Sequence, residues 1–161
     1  MTPEQHHAEM ETWRSVVGQA IVCFGELELI TYKCLAHIPS DQISKTSSRL
    51  AFTKRVDLII EILEGRAAPS GPVATFVKQL RRAKELAQTR NDIAHNPVML
   101  NMFIQEASGD LALENCIATA RGGRFIDLAG AKEFADEVEN LASEMWLQIA
   151  KIIEHYEDPS T

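Results

Sequence analysis

Arg90, Asn91 and His95 lie close together in this 161-residue chain and have side chains that can bind an anion or transfer a proton. A guanidinium is a permanent cation with a planar fork of donors, and an imidazole gains and loses a proton near neutral pH. Asn91 precedes His95 by one helical turn, so the two would share one side of a helix. The segment 90–95, Arg-Asn-Asp-Ile-Ala-His, is therefore the candidate site, and we expect Asp92 to point elsewhere, into solvent.

An apolar helical stripe leads into the candidate site. Its spacing predicts a helix that begins with Ser-Gly-Pro at 70–72 and ends before Pro97. On a helical wheel the three polar residues flank the continuation of this stripe, where Ala87 and Ala94 leave space between them. A polar group inside a protein costs a few kcal/mol unless it is hydrogen-bonded. We therefore expect the three side chains to bond one another or to face a cleft.

A long first helix is predicted at the N-terminus. Thr2 can cap it and Pro3 suits its first position, and its apolar stripe continues to the break at 39–41. Gly18 and Gly25 are two turns apart on one side of this helix. They predict either a second helix at close range or a kink.

A second helix and a hairpin follow from local signals. Ser47 or Ser48 can cap a second helix that ends at Gly65. Partial alternation of apolar and polar residues over 98–104 and 111–119 predicts two strands of a β-hairpin.

The last helix starts at an Asp127 cap and runs to about Tyr156. Helices that each present one apolar stripe must bury those stripes against one another. The predicted fold class is thus all-α, an antiparallel bundle of four main helices with a small β-hairpin inserted before the last helix. We expect a single domain over residues 1–161, with a loose tail from about residue 157.

Charge, cysteines and hydropathy restrict the class of protein. The net charge of −7 opposes a surface that grips nucleic acid everywhere, so any contact with nucleic acid must be local. Cys23, Cys34 and Cys116 are scattered without a CxxC pair, which predicts buried free thiols and neither disulfides nor a metal site. No apolar run approaches the roughly 20 residues that cross a bilayer, and the N-terminus lacks a signal-peptide pattern. We expect a cytoplasmic protein that needs no cofactor.

The segment 90–95 resembles the signature of the HEPN superfamily, in which an Arg, usually a polar residue such as Asn, and a His after four to six intervening positions lie towards the end of a bundle helix. The resemblance covers this motif and the helical architecture. Many HEPN proteins are metal-independent ribonucleases, and some act as toxins or in defence against phage. They form homodimers in which two motifs share one cleft.

The resemblance implies a role for each site residue. His95 would be the general acid or base that acts on the ribose 2′-hydroxyl or the leaving oxygen. Arg90 would hold the phosphate and stabilise charge in the transition state, and Asn91 would orient the imidazole or bind substrate. One histidine cannot easily be acid and base at once, so a homodimer with two copies of His95 is expected.

Other interpretations of the same residues stay open. Lys78, Arg82 and Lys84 are candidates for binding an RNA substrate, although a solvated charged face is the commoner explanation of such residues. The chain is alternatively a non-catalytic HEPN-fold dimer that acts as a protein-interaction or regulatory module. A nucleotidyltransferase-type antitoxin partner follows only from the proteins with which HEPN proteins often occur.

Overall fold

The computed structural model describes residues 2–37, 47, 49–66, 71–104, 109, 111–119 and 123–157. This part of the chain contains four helices, α1 (Pro3–His37), α2 (Phe52–Arg66), α3 (Gly71–His95) and α4 (Leu128–Glu157). Between α3 and α4 it forms a small antiparallel sheet of β1 (Val98–Ile104), β2 (Leu111–Ala118) and β3 (Phe125–Ile126). The chain is therefore mostly helical, as predicted. Most of the predicted tail lies outside the described residues.

Two of the predicted helix caps are present. The backbone N–H of Gln5 donates to Oγ1 of Thr2 at 3.3 Å, and the N–H of Thr2 donates to Oε1 of Gln5 at 2.8 Å. These reciprocal bonds form a capping box at the start of α1. At the start of α4, the N–H of Gly130 donates to the Asp127 carboxylate at 2.7 Å. Both caps satisfy backbone donors that have no partner in the first helical turn.

The predicted cap of the second helix is wrong. α2 begins at Phe52, and the carbonyl of Ala51 accepts bonds from the N–H groups of Lys54 and Arg55, each at 3.0 Å. Ser47 is buried at some distance before this helix, and Ser48 lies outside the described residues. The residue at the cap position is thus Ala51, whose side chain has no hydrogen-bonding group.

The hairpin is confirmed and has a third strand. β1 pairs with β2 from Val98 opposite Ile117 to Ile104 opposite Leu111. β3 pairs with the other edge of β2, where Ile126 lies opposite Ile117. A strand of two residues is too short to show alternation, so periodicity could not predict it.

The chain divides into two compact units, which α1, α3 and α4 each help to form. The first unit comprises Met1–Val22 and Thr89–Glu137, and the second comprises Cys23–Gln88 and Val138–Thr161. The first buries large apolar side chains of α1, the sheet and α4, namely Trp13, Val16, Ile117, Ile126 and Phe134. The second buries a larger set from all four helices, including Phe24, Leu27, Ile30, Ile59, Phe76, Leu80, Met145 and Ile149. The single domain stays a prediction.

A buried arginine joins α1 and α2 in the second unit. Arg55 is only 3% exposed. Its Nε donates to Oγ1 of Thr31 at 3.1 Å, its Nη1 donates to the carbonyl oxygen of Leu50 at 2.5 Å, and its guanidinium lies 4.0 Å from the centre of the Tyr32 ring. Nη2 lies 3.9 Å from the Glu28 carboxylate. The cation is thus surrounded by acceptors and an aromatic face, which offsets the cost of its burial.

The expectation of a helix packed closely on Gly18 and Gly25 is wrong for the described residues. Both glycines are exposed, and a Cβ atom added at either would meet nothing within 4 Å. α1 runs without interruption through both positions. Their missing side chains therefore make no close contact between helices in this part of the chain.

One described helix is long and apolar enough to cross a membrane. This is the segment Glu4–His37, judged by length and composition alone. A core helix of a water-soluble protein meets the same criteria, and this helix buries Trp13, Phe24, Leu27 and Ile30. The cytoplasmic location stays a prediction.

Candidate functional site

The candidate site occupies the last two turns of α3, which ends at His95 as predicted. Pro97 follows, and a proline disfavours helix at the residue before it. Nδ2 of Asn96 donates to the backbone carbonyl of Asp92 at 2.8 Å, which satisfies one of the acceptors left open at a helix C-terminus. Local residues therefore fix the end of the helix that carries the site.

Asn91 and His95 both expose their side chains, one turn apart on the same side of α3. Arg90 is half-buried, and in an ideal helix it lies about 140° around the axis from His95. The structure thus brings Asn91 and His95 together on an open surface. Arg90 lies beside them at the same helix end but on another side.

We expected Arg90, Asn91 and His95 to flank a buried stripe that continues through Ala87 and Ala94, and this expectation is wrong. Ala87 is buried but Ala94 is exposed, and the residues that α3 buries in its last two turns are Asp92 and Ile93. The buried side of α3 therefore changes along its length. An extrapolated helical wheel assumes one buried side throughout, so it assigned the wrong residues to the interior.

Asp92 is also placed differently from the expectation that it is solvated. It is 7% exposed, and its Oδ2 lies 3.1 Å from Nη1 of Arg124, whose side chain is 53% exposed. A buried carboxylate requires a compensating partner, and Arg124 supplies the positive charge. Arg124 lies just before β3, so this ion pair connects the candidate site to the sheet. The sequence gives no signal of the pairing beyond the opposite charges.

A pocket of about 230 Å³ lies beside the end of α3, within the first unit. The segment around the site contributes Ile93 and Asn96 to its wall. The other lining residues come from α1 and the sheet, namely Met10, Trp13, Arg14, Val17, Val98 and Ile117. Arg90, Asn91 and His95 do not line this pocket. The exposed polar residues and the mainly apolar pocket are thus separate features.

The predicted RNA-binding residues on α3 are exposed and mostly ion-paired. Lys84 Nζ lies 2.5 Å from the Asp57 carboxylate and Arg82 Nη1 lies 2.9 Å from that of Glu85. Lys78 is exposed. Such surface pairs contribute about 0–1 kcal/mol and are easily exchanged for another anion. A role in binding RNA stays a prediction.

Lys84 also lines a groove in the second unit, between α2 and α3. Its volume is about 990 Å³. Lysine and arginine side chains are matched there by acidic ones, the charged lining residues being Lys54, Asp57, Glu61, Arg81, Lys84 and Glu85. Because its charges balance, this groove offers no net attraction for phosphates.

All three cysteines are free and buried, as predicted. Burial raises the pKa of the Cys34 thiol far above its ordinary value, and it also raises the pKa of Cys23 and of Cys116. The thiolate is the nucleophilic form of cysteine. The cysteines are therefore poor nucleophiles in the folded protein.

Among the described residues, no group of three or more His, Cys, Asp and Glu side chains is placed to hold a metal ion. At the candidate site the imidazole of His95 can transfer a proton, and the side chains of Arg90 and Asn91 can bind a phosphate. Comparison of the chain with protein-family models, with curated proteins and with solved structures finds no match.

Proposed function

We propose that this protein is a HEPN-like, metal-independent endoribonuclease, with Arg90, Asn91 and His95 as its catalytic residues. The observation that carries the proposal is the joint exposure of Asn91 and His95, one turn apart at the end of α3, inside an Arg-Asn-x-x-x-His segment. Two polar side chains on one open helical face can reach a large substrate directly. The proposal includes the fold that the motif implies, an antiparallel bundle of four helices.

The reaction that suits these groups is an attack of the ribose 2′-oxygen on the adjacent phosphorus. The bond from phosphorus to the 5′-oxygen breaks, which leaves a 2′,3′-cyclic phosphate and a free 5′-hydroxyl. A neutral imidazole accepts the proton of the 2′-hydroxyl, and a protonated imidazole gives a proton to the 5′-oxygen. Arg90 stabilises the charge on the phosphoryl oxygens, and Asn91 holds His95 or the substrate in position.

One histidine cannot easily be base and acid at once, and the candidate segment 90–95 contains one histidine, His95. We therefore propose a homodimer in which two copies of the motif form one composite cleft. Such an enzyme would be a cytoplasmic toxin or phage-defence component, and a nucleotidyltransferase-type antitoxin is its proposed partner. Lys78, Arg82 and Lys84 would supply local attraction for RNA in an otherwise acidic protein.

The direct test is cleavage of labelled single-stranded RNA and of tRNA in EDTA. We expect wild-type protein to cut and both His95→Ala and Arg90→Ala to lose activity by at least about 100-fold. His37→Ala and Arg49→Ala are the matched controls, because His37 is also an exposed histidine at a helix end and Arg49 is an exposed arginine outside the segment 90–95. Both controls should retain full activity.

A stable wild-type dimer that cuts neither RNA would contradict the nuclease. That result would favour the alternative, a non-catalytic dimer that binds another protein through the same polar residues. Loss of dimerisation in Asn91→Ala or Arg90→Ala would then support an interface role for the motif.

A further inference from the structure

One face of the hairpin carries five large apolar side chains in the open. Residues that lie opposite each other in β1 and β2 share a face, so Met102 faces outward with Leu113, and Ile104 with Leu111. Leu100 lies on the same face, next to this pair of rows. We call Leu100, Met102, Ile104, Leu111 and Leu113 the apolar face. Their exposed fractions run from 51% to 70%.

Only the near end of this side of the sheet is covered by the first unit. Ile117 is fully buried, Ile126 is 8% exposed, and Asn115 is 2% exposed. Leu100, opposite Asn115, is exposed, and from the pair of Met102 and Leu113 outward both strands expose their side chains on this side. The covered end thus continues directly into the apolar face. A contiguous exposed patch of this kind marks an interaction site in a water-soluble protein.

The lack of charged residues on the apolar face restricts what can bind there. None of the β1 and β2 residues on this side is charged, and the chain as a whole has a net charge of −7. A partner recognised through basic or acidic groups would find nothing complementary here. An uncharged apolar surface is complementary to another of the same kind. The apolar face of a second copy therefore fits.

The available area is near what a stable dimer needs. Burying side chains of this type removes roughly 60–120 Å² each, so the five from each of two copies bury on the order of 1,000 Å². Stable interfaces bury about 1,200–2,000 Å² in total, and main-chain atoms and neighbouring side chains add to the side-chain area. Contact of one such patch with the identical patch also closes about a two-fold axis and ends in a dimer.

The outer edge of β1 is a second, independent indication that the hairpins of two copies associate. Among the described residues β1 pairs with β2 on one side, and no described strand pairs with its other edge. Its seven residues include no charge and no proline, which are the usual means of keeping edge strands apart. The hairpin thus lacks protection against self-association at its edge as well as on its face.

We propose that two copies of this protein associate by packing the apolar faces of their hairpins against each other. The inference gives the proposed homodimer its contact surface, but it depends on the oligomeric state and not on cleavage of RNA. β1 begins three residues after His95, so this contact would form close in the chain to the candidate site of each copy.

The test compares two identical substitutions on opposite sides of one strand. Met102 is 65% exposed on the apolar face, and Met99 is 51% exposed on the other side of β1. Light scattering after size exclusion, at micromolar concentration, should give a dimer for wild type and for Met99→Glu. It should give a monomer for Met102→Glu. We expect the dissociation constant of the dimer to rise at least about 100-fold, because the two-fold axis brings two glutamates into one apolar interface.

A charge-exchange experiment separates loss of contact from loss of folding. Met102→Glu and Met102→Lys should each be monomeric and should form a heterodimer when mixed, while circular dichroism stays that of wild type. If the glutamate variant fails to fold, Leu111→Gln, at a position 67% exposed, replaces it in the same assay.

A monomeric wild type, or a Met102→Glu protein that stays dimeric, would overturn the proposal. A monomeric wild type whose binding to RNA or to another protein is lost in Met102→Glu would also overturn it, in favour of that occupant. Cleavage is read separately. A dimer that Met102→Glu separates, but that cuts no RNA in EDTA, retains this interface and contradicts only the nuclease.

Discussion

The carboxylate of Asp92 lies 3.1 Å from the guanidinium of Arg124, and this pair connects the last turns of α3 to the residues just before β3. The aspartate is buried, whereas the arginine is half in solvent. The neighbours of Asp92 in the chain, Asn91 and Ile93, are exposed and buried respectively. Asp92 therefore fixes how α3 is rotated at its end, and with it which residues of the motif face outward.

Replacing Asp92 by asparagine should destabilise the protein. The substitution removes the charge that pairs with Arg124 but keeps the size of the side chain. We expect the free energy of unfolding to fall by about 1–2 kcal/mol, since one partner of the pair is exposed. Urea denaturation measures the change, and Asp136→Asn, at an exposed position of α4, is the control. Equal stability of Asp92→Asn and wild type would show that the pair does not hold α3.

The candidate catalytic residues should be dispensable for folding. Because Asn91 and His95 are exposed, we expect the free energies of unfolding of Asn91→Ala and His95→Ala to lie within about 0.5 kcal/mol of the wild-type value. Thermal and urea denaturation of both variants check this. The result matters for the cleavage assay, because a loss of activity without a loss of stability assigns the effect to chemistry. A strongly destabilised His95→Ala would instead indicate a structural role.

The sequence predicted what local signals determine. The caps at Thr2 and Asp127 and the end of α3 before Pro97 depend on residues within one turn, and each is found. The pairing of Asp92 with Arg124 depends on contacts between distant parts of the chain, which periodicity does not report. For the same reason the wheel could not show that α3 changes its buried side near Ala87.

The hairpin shows a second limit of reading a sequence. Alternation over 98–104 and 111–119 gave the correct strands, and alternation normally identifies a side that is packed on a core. Here this side is covered near Ile117 and Asn115, and from the pair of Met102 and Leu113 outward it is exposed. A pattern of residue types states which side is apolar but cannot state whether the same chain covers it.

Arg55 should contribute strongly to the stability of the second unit. Arg55→Ala removes its bonds to Thr31 and to the carbonyl of Leu50, and leaves a cavity beside Tyr32. We expect the free energy of unfolding to fall by about 3 kcal/mol, because buried acceptors lose their donor. Lys54→Ala, at the exposed neighbouring position, should change it by less than about 0.5 kcal/mol. Similar values for the two variants would contradict the assignment.

The thiol of Cys34 should resist modification in the native protein. It is fully buried, and burial raises its pKa, so the thiolate is scarce at pH 8. We expect Ellman's reagent to react with it only after unfolding in urea, and quantification of the released thionitrobenzoate measures this. The Cys34→Ser protein, in urea, identifies the signal. Rapid reaction of Cys34 without denaturant would show that α1 opens locally.

Two glycines should respond in opposite directions to alanine. Gly18 lies inside α1 with open space around it, so Gly18→Ala should raise the free energy of unfolding by about 1 kcal/mol. Gly123 has a φ of 62°, where a side chain is strained, so Gly123→Ala should lower it by about 1 kcal/mol. Thermal denaturation of both variants under one set of conditions compares them. Destabilisation by Gly18→Ala would indicate a contact at this surface in the assembled protein.

Only Asn96 and Pro97 separate the end of α3 from the first residue of β1. The ring of Pro97 restricts its backbone, and the side chain of Asn96 is bonded back to the helix. A connector this short and this restricted has no slack, so a tilt of the hairpin must turn the last helical turn with it. A molecule that binds the outer end of the hairpin would thereby change the position of the His95 imidazole. A regulator could adjust the site in this way without entering it.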